Sequence, residues 1–516
     1  MTNAITLPGF YGHLDMARIM AQIRQRFLRS SLASCSLGML FSFGISTSRA
    51  AEPLTQERAS QLLHKIVTFY RTEVGYEGAY LWRYSSDLTQ REGEGVATRT
   101  SGWTQPPGSP SVGEAYLKVW RLSGDEAYLE AATEVAAALV KSQLASGGWS
   151  SHFDLGPEGA TRYAYRSHGE TSKRRNHTTF DDNKSQSALT LLMHVDEALE
   201  FRDKNIHGAV EYALEKMLAV QYPNGAWPQQ FTEPADPAEH PVAKASYPPT
   251  WSRTYPKVDY RGHYTLNDNN MSYIVDMLFE AERIYGRKDC REAAEKTGDF
   301  FLLAQMPKPQ PGWAQQYDRN MHPAWARKFE PAAITGGESQ SVMRALITLY
   351  RFTGEERFIE PLPRALAYYR TCLLPDGRLA RFYELRENRP LYFTKDYMLT
   401  YSDADMPTHY GFKTSSKLDS IQREYDKVRS SSAAKLRPVH EVMTRVKLAS
   451  SLAKKAEEVV DDLDDRGAWV EEGTLKYQDD DATPKDQIIQ METYIRHLEV
   501  LARYVGAISG GSARAK

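Results

Sequence analysis

The sequence runs to 516 residues, enough for one large domain or two, and its 41% apolar and 25% charged content is that of an ordinary globular protein. The net charge of -2 offers no global field for nucleic acid, so attraction for an acidic partner has to be local. Three cysteines exclude a disulfide framework, and no segment beyond the first fifty residues is long and apolar enough to span a bilayer.

The first fifty residues read as an export signal. Arg24, Arg26 and Arg29 precede an apolar, small-residue run over 32–45, and 48-SRA-50 has small residues at the separation signal peptidase requires. The stretch 32-LASC-35 resembles a lipoprotein box, but most of the apolar run follows Cys35, which argues against it. A periplasmic or extracellular protein is expected. Cleavage leaves Cys290 and Cys372, whose pairing the sequence leaves open.

Next, Leu62, Leu63, Ile66, Val67 and Tyr70 fall at helical spacing, and Tyr80, Trp82 and Tyr84 alternate as in an extended segment or hairpin. Four helix pairs are predicted: 111–122 with 125–144, 185–203 with 206–221, 270–286 with 288–306, and 338–353 with 356–373. Gly124, Gly286 and Gly354 fall between paired helices, where a residue tolerant of positive φ ends the first. After each pair comes a related turn: 148-GW-149, 225-GAWPQQF-231, 312-GWAQQY-317 and a degenerate 377-GRLARFY-383. The tryptophans recur about every 80 residues, so each unit holds a helical hairpin and a long loop. The fold expected over 51–412 is mainly α, an incomplete α/α toroid with long loops and a few short strands forming a cleft; an open solenoid is the alternative. Amphipathic helices over 413–508 are expected to pack on it, and 509–516 reads as a disordered tail.

Three motifs stand at loop-to-helix junctions. Asp181, Asp182 and Asn183 precede a helix in 178-TTFDDNKSQSALTLL-192, and Asn267, Asp268, Asn269 and Asn270 do the same in 264-YTLNDNNMSYIVDML-278. A single Asp or Asn there caps a helix. Runs of three and four exceed that need, and oxygen-rich loops suit calcium, which takes several hard oxygen ligands in flexible geometry. Neither run has EF-hand spacing, and no Cys/His grouping suggests zinc. The third motif holds Arg327 between Trp325 and Phe329 and continues into 335-TGGES-339. Arg327 reads as a positioned cation, or as an ion-pair partner of Glu330 or Glu338. Another reading of the acidic groups is glycoside hydrolysis, with Asp181 or Asp182 and Asp268 as acid/base pair, which leaves Arg327 without a clear task. Trp227 is either packing or a sugar platform.

Together TFDDN, NDNNM, GAWPQ and above all 323-PAWARKFEP-331 with 335-TGGES-339 resemble the pectate lyases of polysaccharide lyase family ten. The resemblance extends from about Tyr76 to 380-ARFYELRENRP-390. It implies an α/α-toroid enzyme that cleaves α-1,4-polygalacturonate (pectin) by calcium-dependent β-elimination to unsaturated oligogalacturonides; a monomer is expected. It further implies Arg327 as Brønsted base, Asp181 as the calcium-associated aspartate with Asp182 beside it, and Asp268 as the second acidic position, catalytic and metal-binding. Arg381 is implied as a binder of substrate carboxylate, with Trp227, Gln229, Glu338 and Lys184 as further substrate contacts. The chain departs from the pattern at 182-DNKS-185, where small residues and threonine are expected, and at Asn269-Asn270, where an acidic and a small residue are expected. Free arginine has a pKa above about 12, so an arginine base implies an alkaline optimum.

Overall fold

Each predicted hairpin forms close to its expected bounds in the computed structural model, which describes residues 53–168, 173–431, 448–478 and 487–508. The export segment over 1–50 and the tail over 509–516 lie outside the described residues. After a first helix, Gln56–Phe69 (α1), the pairs are Ser109–Ser123 (α2) with Glu126–Ser142 (α3), Lys184–Ala198 (α4) with Lys204–Ala219 (α5), Asn270–Tyr285 (α6) with Lys288–Ala304 (α7), and Glu338–Thr353 (α8) with Leu362–Thr371 (α9). Gly124, Gly286 and Gly354 end α2, α6 and α8 in the left-handed region. In the fourth pair the second helix starts late, because Pro361 has no N–H to carry a helix through it; a 3-10 turn, Glu356–Phe358, precedes the break.

Every hairpin is bracketed by two short strands that pair antiparallel. Ser101–Trp103 pairs with His152–Asp154, Thr178–Thr179 with Gln230–Phe231, Tyr264–Thr265 with Gln316–Tyr317, and Ile334–Thr335 with Phe382–Tyr383. The first helices pack on one another in sequence, α2 on α4, α4 on α6 and α6 on α8, and so form an inner row with their partners outside.

The turn tryptophans close these units from within. Trp149 Nε1 donates to the Leu139 carbonyl at 2.8 Å and Trp313 Nε1 to the Phe301 carbonyl at 2.8 Å. Trp227 Nε1 donates to Thr297 Oγ1 at 2.8 Å. Gly225, at φ 86°, allows that last turn: a Cβ there would lie 1.9 Å from the Lys296 carbonyl oxygen.

The segment after Gly411 continues the pattern. Leu418–Ser430 (α10) packs on α8 and α9, and Ser450–Asp461 (α11) packs on Met491–Ile508 (α12). Trp469, in the turn 467-GAW-469, donates Nε1 to the Val459 carbonyl at 2.7 Å, as Trp149 and Trp313 do to theirs. The strand Gln487–Gln490 leads into α12 and pairs with Arg83–Ser85, so strand, inner helix, outer helix and strand occur once more with the unit split between the chain's two ends. Tyr70 and Tyr494 stack at 3.7 Å across that seam, and the Tyr494 hydroxyl meets that of Tyr116 at 3.0 Å. The result is an incomplete α/α toroid. Cys290 and Cys372 are buried and free, so no bridge joins them. No helix among the described residues is long and apolar enough to cross a membrane.

Candidate active site

Three successive units present the same backbone frame at the N-terminal ends of α4, α6 and α8. The hydroxyls of Thr179, Thr265 and Thr335 accept from the N–H of Asp181, Asn267 and Gly337. The N–H of Phe180, Leu266 and Gly336 donates across the strand pair to the carbonyls of Gln229, Gln315 and Arg381. On this frame Asp182 and Asn183 (φ 49° and 60°) repeat the backbone of Asp268 and Asn269 (φ 48° and 62°). Asn and Asp tolerate this left-handed region better than other side chains, which is why the acidic runs carry them there. The paired turns bring Asp181, Asp182 and Asp268 together, with one carboxylate oxygen of each within 4.8 Å of the others.

Opposite them stand two arginines. Arg327 lies in a tight turn closed by Glu330, whose buried carboxylate accepts from both the Arg327 backbone N–H and its Nη2, the latter at 2.6 Å. Arg327 Nη2 is also 3.9 Å from Asp268. Its guanidinium sits over Phe329 and Tyr410, at 5.1 and 5.8 Å from the ring centroids. The expected flank by Trp325 is not realised: that indole is buried and donates to the Ser252 carbonyl, and Tyr410 takes its place. Arg381 occupies the position held by Gln229 and Gln315 in the preceding units. Its Nη2 is 2.6 Å from Glu338 and 3.4 Å from Asp268, and it lies 4.5 Å over the Tyr410 ring.

The charges shape one another. Burial first, and the charge of Asp182 next, push Asp268 up to about 7 against the pull of Arg381. Burial raises Asp182 as well. For Arg327 burial acts downward, but the hydrogen bond and charge of Glu330 more than reverse it and hold the guanidinium above its ordinary value.

Of the other expected substrate contacts, Gln229 donates to Asp181 at 2.9 Å and so orients that carboxylate, and Glu338 is buried beneath Arg381. Lys184 is buried against Asp181 and Asp182, at 3.2 and 3.3 Å, where sequence suggested a hand for substrate. Trp227 is fully buried, with its ring edge-on to Phe180, and is packing instead of a sugar platform. Sequence reasoning missed Tyr410, whose hydroxyl donates to Glu330 at 3.1 Å, and Glu94, whose charge acts on Lys184, Asp181 and Asp182. Tyr410 lies in no motif, and Glu94 lies in 91-REGEG-95 within the span of the resemblance but was given no role there.

Comparison with known proteins supports a polysaccharide lyase. The part of the chain that carries Asp181, Asp182, Asp268 and Arg327 matches a family of polysaccharide lyases. The family is described as pectic acid lyase, and its model matches residues 143–378; Arg381 lies just beyond. No curated protein matches the chain. Similar solved structures include a family 10 polysaccharide lyase from Cellvibrio cellulosa, 22% identical, covering 62% of this chain and 97% of its own with a TM-score of 0.42. A point mutant of a family 10 polysaccharide lyase from Cellvibrio cellulosa, solved in complex with trigalacturonic acid, is 20% identical over 62% and 98% of the two chains, TM-score 0.42. A D-mannose isomerase is 13% identical over 88% and 98%, TM-score 0.42.

Proposed function

We propose that this protein is an exported, calcium-dependent pectate lyase that cleaves α-1,4-polygalacturonate by β-elimination and releases unsaturated oligogalacturonides. The observation that carries this reading is the meeting of Arg327 and Arg381 with Asp181, Asp182 and Asp268 at the ends of the inner helices, in a segment matched to pectic acid lyases. The three carboxylates are hard oxygen donors close enough to share one ion, which fits calcium. A calcium ion held there would supply positive charge against the galacturonate carboxylate as negative charge develops on it.

The protein's own groups do the rest. Arg381, oriented by Glu338, binds a substrate carboxylate. Arg327 takes the proton from C5; the C4–C5 double bond forms as the C4–O bond breaks, and the departing oxygen takes a proton from water. To act so Arg327 has to be neutral, and the Glu330 contact opposes that. Elimination therefore runs fastest in alkaline solution.

One observation favours a second reading: a carboxyl held near 7, as Asp268 is, suits a general acid in a hydrolase. Oxygens within 4.8 Å leave less than the ~6.5–9.5 Å that an inverting pair needs for its water, so a hydrolase here would have to use the ~5–5.5 Å spacing of a retaining pair. Incubation with polygalacturonate, with calcium or with chelator, separates the two, since a lyase creates a new ultraviolet-absorbing double bond and a hydrolase does not. Arg327→Ala should abolish that absorbance with the fold intact. Retained turnover would remove Arg327 from the reaction.

A further inference from the structure

The first residue of each inner helix in the three site-forming units is buried, and the three differ in charge: Lys184 in α4, Asn270 in α6 and Glu338 in α8. Lys184 Nζ stands between Asp181 Oδ2 and Asp182 Oδ2, at 3.2 and 3.3 Å, with its side chain 4% exposed. The carboxylate of Glu94 also acts on it. Arg381 and Arg327 approach Asp268 at 3.4 and 3.9 Å. Arg327 and Arg381 also pair with Glu330 and Glu338, at 2.6 Å each, whereas Lys184 meets Asp181 and Asp182 of the cluster itself.

We propose that the Lys184 ammonium is the tethered resident cation of this cluster, and that a divalent ion gains Asp181 and Asp182 only by displacing it. The inference rests on the metal role proposed above for the three aspartates. An ion bonded to those carboxylate oxygens at about 2.3–2.6 Å would stand where Nζ stands, and the two like charges cannot share the place. The lysine therefore lowers the affinity of the substrate-free protein for calcium. A substrate carboxylate, bringing its own negative charge, shifts the competition toward the ion, so metal and polymer enter together.

The test is calorimetric titration of calcium chloride into the substrate-free protein, for wild type, Lys184→Met and Lys184→Arg, with thermal unfolding measured with and without calcium. Removing a unit positive charge beside a divalent ion is worth at least about tenfold in affinity even at the dielectric constant of water, so Lys184→Met should bind calcium at least that much more tightly and gain a larger calcium-induced shift in Tm. Lys184→Arg should stay with wild type. Lys184→Gln gives the same comparison if the methionine variant does not fold. Equal calcium affinity in wild type and the uncharged variants overturns the proposal. Absence of the unsaturated product from wild type would sink the lyase reading instead, and leaves this titration readable.

Discussion

His194 offers the sharpest link between charge and stability. It projects from α4, and Nδ1 lies 2.7 Å from Glu114 of α2 while Nε2 lies 2.8 Å from Glu280 of α6, so one imidazole ties three inner helices. It lines a cavity of about 720 Å³ between those helices, with Lys118, Asp276 and Glu499 also in the wall. Burial works against the imidazolium, but Glu114 and Glu280 outweigh it and hold the group up at about 9. A histidine whose folded pKa is raised stabilises the fold fully below its unfolded value, about 6.5, and ceases to do so as pH climbs through the folded value. At 1.36 kcal/mol per unit, the shift corresponds to about 3 kcal/mol, present at pH 6 and gone by pH 10. For a chain of this length the unfolding entropy converts that to ~3 °C in Tm. Thermal unfolding of wild type and His194→Gln at both pH values checks it: the variant should be less stable at pH 6 by about that much, and the gap should close at pH 10. An offset that is the same at both values refutes the electrostatic account and leaves only packing. Glu280 keeps its partner Arg283 at 2.6 Å in either protein, so the loss falls on the histidine and on Glu114.

Two further substitutions separate roles around the site. Glu330→Gln removes the carboxylate that holds Arg327 protonated, so the alkaline rise in lyase rate should move to lower pH; a pH–rate profile with that limb unmoved would show that Arg327 is not the titrating group. Trp227→Ala should cost about 3–5 kcal/mol of stability, read by denaturant unfolding, with KM for polygalacturonate unchanged in protein that remains folded. A raised KM with stability intact would restore the tryptophan to the cleft.

How much the sequence disclosed follows from the range of each interaction. The hairpins were legible because helix periodicity and a glycine at the end of α2, α6 and α8 are local, and the acidic runs were legible because each sits within one turn. The seam was not: Tyr84 pairs with Ile489, and nothing local announces a partner at that distance along the chain. Exposure also escaped sequence. An indole beside a proline looks the same whether it faces a cleft or, as with Trp227, a threonine hydroxyl in the core. The burial of Lys184 against Asp181 and Asp182 was likewise not legible, since sequence does not show whether an ammonium beside two aspartates is buried.

The units that build the site also explain its asymmetry. Between the strand threonine and the first helical residue, the second and third units carry four residues, 180-FDDN-183 and 266-LNDN-269, whereas the fourth carries only Gly336 and Gly337. The longer turns contain the left-handed pairs and project Asp182 and Asp268 toward each other. The shortened one has no such pair, and its acidic group is Glu338 at the helix start, where it is buried beneath Arg381. One frame therefore presents carboxylates from two units and a carboxylate-backed guanidinium from the next. Asn270, buried at the same helix start in the middle unit with neither side-chain amide atom hydrogen-bonded, is the neutral case between Lys184 and Glu338. The gradient from cation through amide to anion along successive inner helices is set by a single position per unit, and it decides on which side of the cluster positive charge is already supplied.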